Sequence, residues 1–418
     1  MEVIEETKCR VCEGKLEPVL DFDSIYPSSF VSIDADLSTY EKAPLVIARC
    51  SDCGLFQLKH TVNLDSMYKQ YWYRSGLNRS MLSDLKGIVT YIESKIELND
   101  GDVVVDIGCN DGSMFDFYSK NVNKVGFDPA INLNTKDKCD VFINDYFDAT
   151  KYPCKDKAKV VTSIAMFYDL PNPNKFIEDV KEIMADDGIW IVQFTDLYSM
   201  LTLTAFDNIC HEHLEYYDLI YLNKLFYRHG LIITDIDYNK VNGGSVRLLL
   251  TKEGSNFKIN NNIFYYIDRE YKLLSNPEFI AEFYNNIIEQ GCMLMEELYK
   301  MKSAKLSIYG IGASTKGNTL LQIWNIGTNL LSGIYEINRD KFGLKTLGSD
   351  IPIVEEDIKS VPPSALLLLP WHFIDNILET YHDYLVNGGI IITPLPIFKM
   401  YYWREDRLWT LTKKPLDS

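Results

Sequence analysis

The sequence predicts an α/β protein: a doubly wound parallel sheet at the centre, a small cysteine-bound module before it and a second, smaller α/β sheet unit after it. Three observations predict this. Four of the nine cysteines fall in two Cys-x-x-Cys pairs near the start, Cys9 with Cys12 and Cys50 with Cys53. From 85 to 251, short β-branched runs alternate with helical stretches, the pattern of a parallel sheet covered by helices on both faces. A helical stretch at 260–301 is then followed by a second alternation.

A chain of 418 residues exceeds one ordinary domain, and three units are expected, 1–84, 85–251 and 252–418. In the middle unit strands are expected at 103–107, 124–128, 160–165, 188–194, 231–237 and 245–251, with helices between most of them. In the last unit they are expected at 305–309, 331–335, 365–369 and 389–393. No internal repeat or low-complexity tract separates the units, so they should pack closely.

Composition excludes several classes. A net charge of −17 opposes general attraction to nucleic acid or anionic lipid. The longest apolar runs, such as 365–369, are broken within a few residues by proline or charge, too short for the roughly 20 residues of a membrane helix. The acidic opening at 1–8 has no apolar core, so no secretory signal is read and the expected address is the cytoplasm. A monomer or weak dimer is expected.

Cysteines in a cytoplasmic protein point to metal or catalysis before disulfides. Each Cys-x-x-Cys pair puts two thiols on one tight turn, and Gly54 follows the second pair where such a knuckle bends. Together Cys9, Cys12, Cys50 and Cys53 offer the closed tetrahedral sulfur set of a structural Zn²⁺ site, which would fold a segment with little core of its own. A redox pair is the alternative, disfavoured because neither pair opens a thioredoxin-like unit.

The apolar strand 103–107 runs into Gly108-Cys109-Asn110-Asp111-Gly112, with a helix expected from about Ser113. The Gly-x-Gly-x-x-Gly frame of a dinucleotide site is absent. Asp106 at the strand end, with Gly108, Asn110 and Gly112 in the turn, resembles instead the first motif of class I methyltransferases, where the turn holds the amino acid end of S-adenosylmethionine. Asp128 ends the next strand, where a carboxylate accepts from both ribose hydroxyls. Asp145, in the run Asn144-Asp145-Tyr146-Phe147, is a candidate partner for the adenine amino group.

Only six histidines occur, yet two lie in Cys210-His211-Glu212-His213. This run follows the strand expected at 188–194, over the carboxyl ends of the sheet where the cofactor is expected. A histidine can remove a proton from carbon or hydroxyl, with the neighbouring carboxylate stabilising its charged form. A metal reading is weaker: the two histidines lack the i, i+4 spacing of a helical zinc pair, and no third ligand is evident.

Over nearly its whole length the chain resembles the three-domain sugar C-methyltransferases that modify nucleotide-linked 4-keto-deoxysugars. The matching pieces are the four cysteines with Leu55-Phe56-Gln57-Leu58, Tyr71-Trp72-Tyr73-Arg74-Ser75-Gly76, Asp106 to Gly112, His211-Glu212-His213, Asn242-Gly243-Gly244-Ser245 and Gly310-Ile311-Gly312-Ala313-Ser314. The resemblance implies S-adenosylmethionine as methyl donor, His213 as base, Glu212 as its assistant and Tyr73 reaching the substrate. It implies substrate contacts from Tyr71, Arg74, Ser75 and Asn242, and a third domain that helps hold the nucleotide. There Gly310, Gly312, Ser314 and Lys316 form a second glycine turn and helix start, at which a phosphate is expected to rest beside Lys316. A purely structural turn is the alternative.

Two departures stand out. The family often has tyrosine where this chain has Cys210, and histidine where it has Tyr168. Tyr168 and His211 join the candidate catalytic set on these grounds. The changed groups leave open methylation of oxygen in place of carbon, on a sugar or another small polar metabolite. A non-catalytic zinc and nucleotide binder is the rival of a different class, opposed by the intact turn 106–112 and Asp128.

Overall fold

The computed structural model describes residues 2–133 and 135–412. In the N-terminal segment, strands β1 (Leu16–Ile25), β2 (Ala43–Cys50) and β3 (Phe56–Leu58) pair in antiparallel order. The short strand Glu215–Tyr216, from far along the chain, adds itself beside β3.

The central sheet has seven strands: β4 (Val103–Ile107), β5 (Asn123–Phe127), β6 (Val141–Ile143), β7 (Ala158–Ile164), β8 (Met184–Phe194), β9 (Leu231–Asn239) and β10 (Ser245–Lys252). Their order is β9-β10-β8-β7-β4-β5-β6, parallel except for β10, which is antiparallel to both neighbours. All five residues of β4 are buried, as a strand with helices or loops on both faces requires. From β4 the chain winds outward to β5 and β6, then returns on the other side through β7. The switch point between β4 and β7 leaves a crevice at the carboxyl ends of these strands.

Helix α1 (Arg79–Lys95) starts inside the segment expected to be the zinc module, yet belongs to the central sheet. The Asn78 side chain accepts from the N–H groups of Ser80 and Met81 to start it, and Met81, Leu85, Ile88, Val89 and Ile92 bury one face. The expected helix after Gly112 is only a 3-10 turn, Ser113–Phe117. Asp111 Oδ1 closes that turn tightly on the Ser113 N–H and hydroxyl, and α1 already covers the adjacent sheet face, its Ile92 and Val89 sharing a core cluster with Val104 and Val160. Among the described residues the crossovers from β5 to β6 and from β6 to β7 likewise carry no α-helix. Full helices stand later, α2 (Pro173–Ile183) and α3 (Leu219–Arg228).

Helices α4 (Asn262–Leu274) and α5 (Phe279–Ser303) form the expected bridge. Beyond them the last sheet also has seven strands, so it is not smaller in strand number than the central one. Its members are β11 (Ile308–Ile311), β12 (Ile334–Glu336), β13 (Ile353–Glu355), β14 (Ala365–Leu368), β15 (Ile390–Thr393), β16 (Lys399–Arg404) and β17 (Arg407–Thr412), in the order β13-β12-β11-β14-β15-β16-β17. Helix α6 (Thr315–Ile323) follows β11.

The units share their cores. Val11, Leu16 and Leu55 of the first pack in one cluster with Trp190, Tyr217 and Leu222 of the second. Phe206, Ile209 and Leu214 pack with α5 and with Trp371 of the third. At that last contact a Cβ on Gly243, whose φ is +87°, would lie 2.8 Å from the Trp371 ring. Replacing Gly243 by alanine should therefore strain both backbone and interface, lowering the thermal midpoint by an amount equivalent to roughly 1–3 kcal/mol. An unchanged melting curve would mean that the turn relaxes freely.

Candidate active site

At the N-terminus the two cysteine turns meet. All four sulfurs lie within 4.8 Å of one another, with Cys12 and Cys50 3.4 Å apart and Cys9 and Cys53 3.7 Å apart. A tetrahedral centre with Zn–S bonds of ~2.3 Å has sulfur edges of ~3.8 Å, so the donor set fits zinc in number, chemistry and span. The crowding pushes the Cys9 thiol up to about 12, first through Cys53 and then through burial, an environment that a dication reverses by stabilising the thiolates. Gln57 Nε2 donates to Cys9 Sγ, and the buried Arg10 guanidinium donates to Gln57 Oε1, Leu58 O and Thr61 Oγ1.

The crevice of the central sheet opens into a cavity of about 580 Å³ walled by all three units. One end is the turn after β4. Gly108, Asn110 and Gly112 there have φ of +73°, +51° and +72°, left-handed conformations that glycine and asparagine adopt most easily. Gly108 lines the cavity, with space for a Cβ closed by Met166 at 3.2 Å. Gly112 instead faces Thr135 and Lys138 outside it. Asp106 is buried, accepts from the Thr162 hydroxyl at 2.6 Å, and is pushed up to about 7 by burial. Asp128 Oδ2 and Oδ1 accept from the N–H groups of Asn110 and Ala130. This holds its carboxylate at the cavity wall with lone pairs to spare for hydroxyl donors.

The Asn110 side chain is spent elsewhere: its amide donates to Tyr73 O and accepts from the Ser75 N–H. It straps the segment after the zinc module across the cavity and is not free for a cofactor. Asp145 lines the rim, but its carboxylate is exposed and ion-paired with Lys151, which holds it below the usual carboxylate range.

The other end holds Glu212 and His213. The His213 ring lies 4.1 Å, centroid to centroid, from that of Tyr168, and Nδ1 is 2.7 Å from Asn208 O. A carbonyl only accepts, so Nδ1 carries the proton and the neutral ring keeps its lone pair on Nε2. Burial, with Lys316 as a positive neighbour, depresses His213 to about 3, and burial raises Glu212 to about 7. His211 points away. Its Nε2 is 3.2 Å from Ala43 O in the N-terminal sheet and it does not line the cavity, because the chain turns between the two rings, with the His213 N–H donating to Cys210 O at 3.1 Å.

Tyr71 reaches this end, where Glu212 and Asp169 act on its hydroxyl, as they do on Tyr68. Tyr73 also lines the cavity but faces Asp111 and Asp84, so the hydroxyls brought to the histidine are those of Tyr68 and Tyr71. Ser75 and Asn242 line the cavity, whereas Arg74 pairs with Asp340 at the surface. Asp169, Asn208 and His372 also converge here, and no spacing in the chain announced them.

The second glycine turn has a structural part. Gly310 packs against Ile334 and Gly312 against Pro370, and neither lines the cavity. The Ala313 N–H is taken by Glu336 Oε2 and the Gly317 N–H by Ser314 Oγ, so these donors are not offered to a phosphate. Lys316 turns instead into the reactive end, beside Glu212 and Asp169. Cys210, Glu212 and His213 do bring three possible metal ligands within 4.8 Å, but the Lys316 ammonium acts on Cys210 and Glu212 from the same space and opposes a second cation.

Three family models match the chain. Residues 9–68 match the family model of a zinc binding domain, 77–236 that of a methyltransferase domain and 240–396 that of a C-methyltransferase C-terminal domain. The C-methyltransferase NovU of Streptomyces niveus is 26% identical over 403 residues, 93% of this chain and 95% of its own. Two solved structures overlap less of the chain. A methyltransferase in complex with the Haloferax volcanii Trm112 activator covers 43% of this chain and 94% of its own, at 14% identity and a TM-score of 0.36. Magnesium protoporphyrin IX methyltransferase from Synechocystis PCC 6803, with bound S-adenosylmethionine, covers 41% and 79%, at 13% identity and a TM-score of 0.32. Among the described residues no helix is long and apolar enough to cross a membrane.

Proposed function

We propose that this chain, a member of the three-domain S-adenosylmethionine-dependent C-methyltransferases, methylates carbon 3 of a nucleotide-linked 4-keto-6-deoxysugar. The observation that carries this reading is the neutral His213, whose protonated Nδ1 leaves Nε2 as a base in the cavity that Gly108 and Asp128 also line. A ketone acidifies the neighbouring C–H, which is what a single imidazole needs in order to make a carbon nucleophile. The match of residues 240–396 to a C-methyltransferase C-terminal domain and the likeness to NovU support carbon over the oxygen acceptor that Cys210 and Tyr168 leave open.

Bound S-adenosylmethionine supplies an electrophilic methyl group at the end of the cavity formed by Gly108 and Asp128. Gly108 allows close backbone approach, and Asp128 accepts from ribose hydroxyls. His213 takes the proton, and Glu212 stabilises the imidazolium once it is charged. Tyr68 and Tyr71 close the side of the cavity toward the zinc module and exclude water. The third unit closes the opposite wall with Thr315, Pro370 and His372, the side on which the nucleotide is expected.

The test is incubation with methyl-labelled S-adenosylmethionine and the dTDP-, GDP- and CDP-linked 4-keto-6-deoxyglucoses, followed by carbon NMR. A labelled methyl bonded to carbon supports the reading; a methyl ether, or no product from any of the three, sinks it. Asp128→Asn should weaken S-adenosylmethionine binding by about ten-fold in calorimetry, one charge-assisted hydrogen bond's worth. Unchanged affinity would place the ribose elsewhere. Because Glu212 titrates at about 7 and works as a carboxylate, kcat should fall as pH drops through that value. In Glu212→Gln the slope should disappear along with most of the rate, and a persisting slope would assign it to another group.

A further inference from the structure

Lys316 enters the reactive cluster from the wall opposite the zinc module. Its Nζ donates to Asn208 Oδ1 at 2.5 Å and to Asn242 O at 3.4 Å. The Asn208 amide cannot be turned around, because its Nδ2 donates to Ala205 O at 2.9 Å. Both partners therefore only accept; burial pushes Lys316 down while the carboxyl groups of Asp207, Glu212 and Asp169 act to keep it charged, and the charged form has a third N–H for a ligand. Meanwhile the Asn208 carbonyl takes the His213 Nδ1 proton. One residue thus sets the base with its main chain and the ammonium with its side chain.

The groups that face this ammonium are Asp207, Cys210, Glu212 and Asp169, with His213 and His372 as neutral neighbours. Three carboxyl groups would repel a diphosphate. A single oxygen that becomes negative only during reaction fits, because it needs one donor and sits where the base works. The other lysine on the cavity wall, Lys175, is half-exposed and paired with Asp179, so among the described residues Lys316 is the deep cation of the cavity.

We propose that Lys316 is a catalytic residue of the acceptor half-reaction, donating from its ammonium to the ketone oxygen while His213 Nε2 removes the proton from the adjacent carbon. This rests on the keto-sugar reading above. In the step the C–H bond breaks and an N–H bond forms on His213. The C–H electron pair becomes the new C=C bond, and the carbonyl π pair moves to oxygen, where the Lys316 N–H meets it. No oxidant or co-reactant is consumed. A fixed cation in a buried site lowers the energy of such an oxyanion without reorganising at the moment of reaction.

The half-reaction is observable without methyl transfer, as deuterium entering the substrate from heavy water. The probes are the same three 4-keto-6-deoxyglucose nucleotides, with S-adenosylhomocysteine bound to the protein and mass spectrometry as the readout. Wild type should exchange at least one probe, and Lys316→Met should exchange it about 100- to 1,000-fold more slowly at saturating probe, with S-adenosylhomocysteine affinity unchanged. Lys316→Arg should restore much of the exchange. Should K316M lose S-adenosylhomocysteine binding, K316Q takes its place, since its amide still donates to Asn208 while the charge is gone. Exchange in K316M at the wild-type rate, or a defect that saturating probe removes, overturns the assignment and leaves the keto-sugar reading standing. A wild type that exchanges none of the probes overturns the keto-sugar reading, and the assignment with it.

Discussion

His213→Ala should lower kcat by about 1,000-fold, within the 10²–10⁴ range of general base catalysis, while S-adenosylmethionine affinity in calorimetry stays unchanged. The prediction follows from three features of the ring. Burial holds it near a pKa of 3, so at neutral pH it is a base already free of its proton. The bond to Asn208 O fixes which nitrogen carries that proton. The ring lines the same cavity as Gly108 and Asp128 but belongs to its other end, so removing it takes nothing from the cofactor. Added imidazole should restore part of the rate, because truncation leaves a ring-sized space in a cavity of about 580 Å³. His211→Ala is the control. Its ring sits against Ala43 O, and its loss should act on stability alone. Full turnover in His213→Ala, or a defect of equal size in His211→Ala, would move the base elsewhere.

Strand β4 was legible because it is an apolar β-branched run, and burial on both faces leaves such a strand little other composition. The four cysteines were legible for a similar reason: a metal turn dictates both residue type and spacing. The hairpin of β16 and β17 was not. Its turn is Glu405-Asp406, with φ of +54° and +55°, and neither residue is the glycine or asparagine that marks such a turn in a sequence. Within the site, residues on one run could be read together, as His211 to His213 were. Residues that meet only after folding could not: Asp169 and His372 come from distant parts of the chain. Lys316 was noticed only as a neighbour of a glycine turn. A glycine turn before a helix suggests phosphate, but here Glu336 and Ser314 have already taken donors of that turn. Tyr73 was read as the tyrosine reaching the substrate, with Tyr71 as a further contact, and Tyr68 was not singled out, because a motif does not say which way a strap faces.

Removing zinc should abolish turnover as well as the fold of the first unit, because the module holds the catalytic loop from behind. Cys50 and Cys53 lead directly into β3, where the Leu58 N–H donates to Leu214 O at 2.8 Å, one residue past His213, and Gln57 pairs with Glu215. Gln57 is tied back to Cys9 Sγ, and Arg10 bridges Gln57 to Leu58 O while its Nε lies 3.8 Å from Glu215. The buried Arg10 guanidinium also lies 3.7 Å from the Glu6 carboxylate, so it joins the N-terminal segment to the loop after His213. Structural zinc contributes about 10–16 kcal/mol in small modules at neutral pH, as much as a whole domain's typical stability of about 5–15 kcal/mol, so the strands should not keep their register without it. Cys50→Ser, or treatment with a strong chelator, should release one zinc per chain and cut kcat by at least about 100-fold through misplacement of His213. The first-unit amides of Gln57 and Leu58 should at the same time lose protection from hydrogen exchange. Restoring zinc to the chelated protein should bring back both readouts together. A metal-free protein with native turnover, or one whose exchange protection at Gln57 and Leu58 is unaltered, would show that the catalytic loop stands without its zinc-bound support.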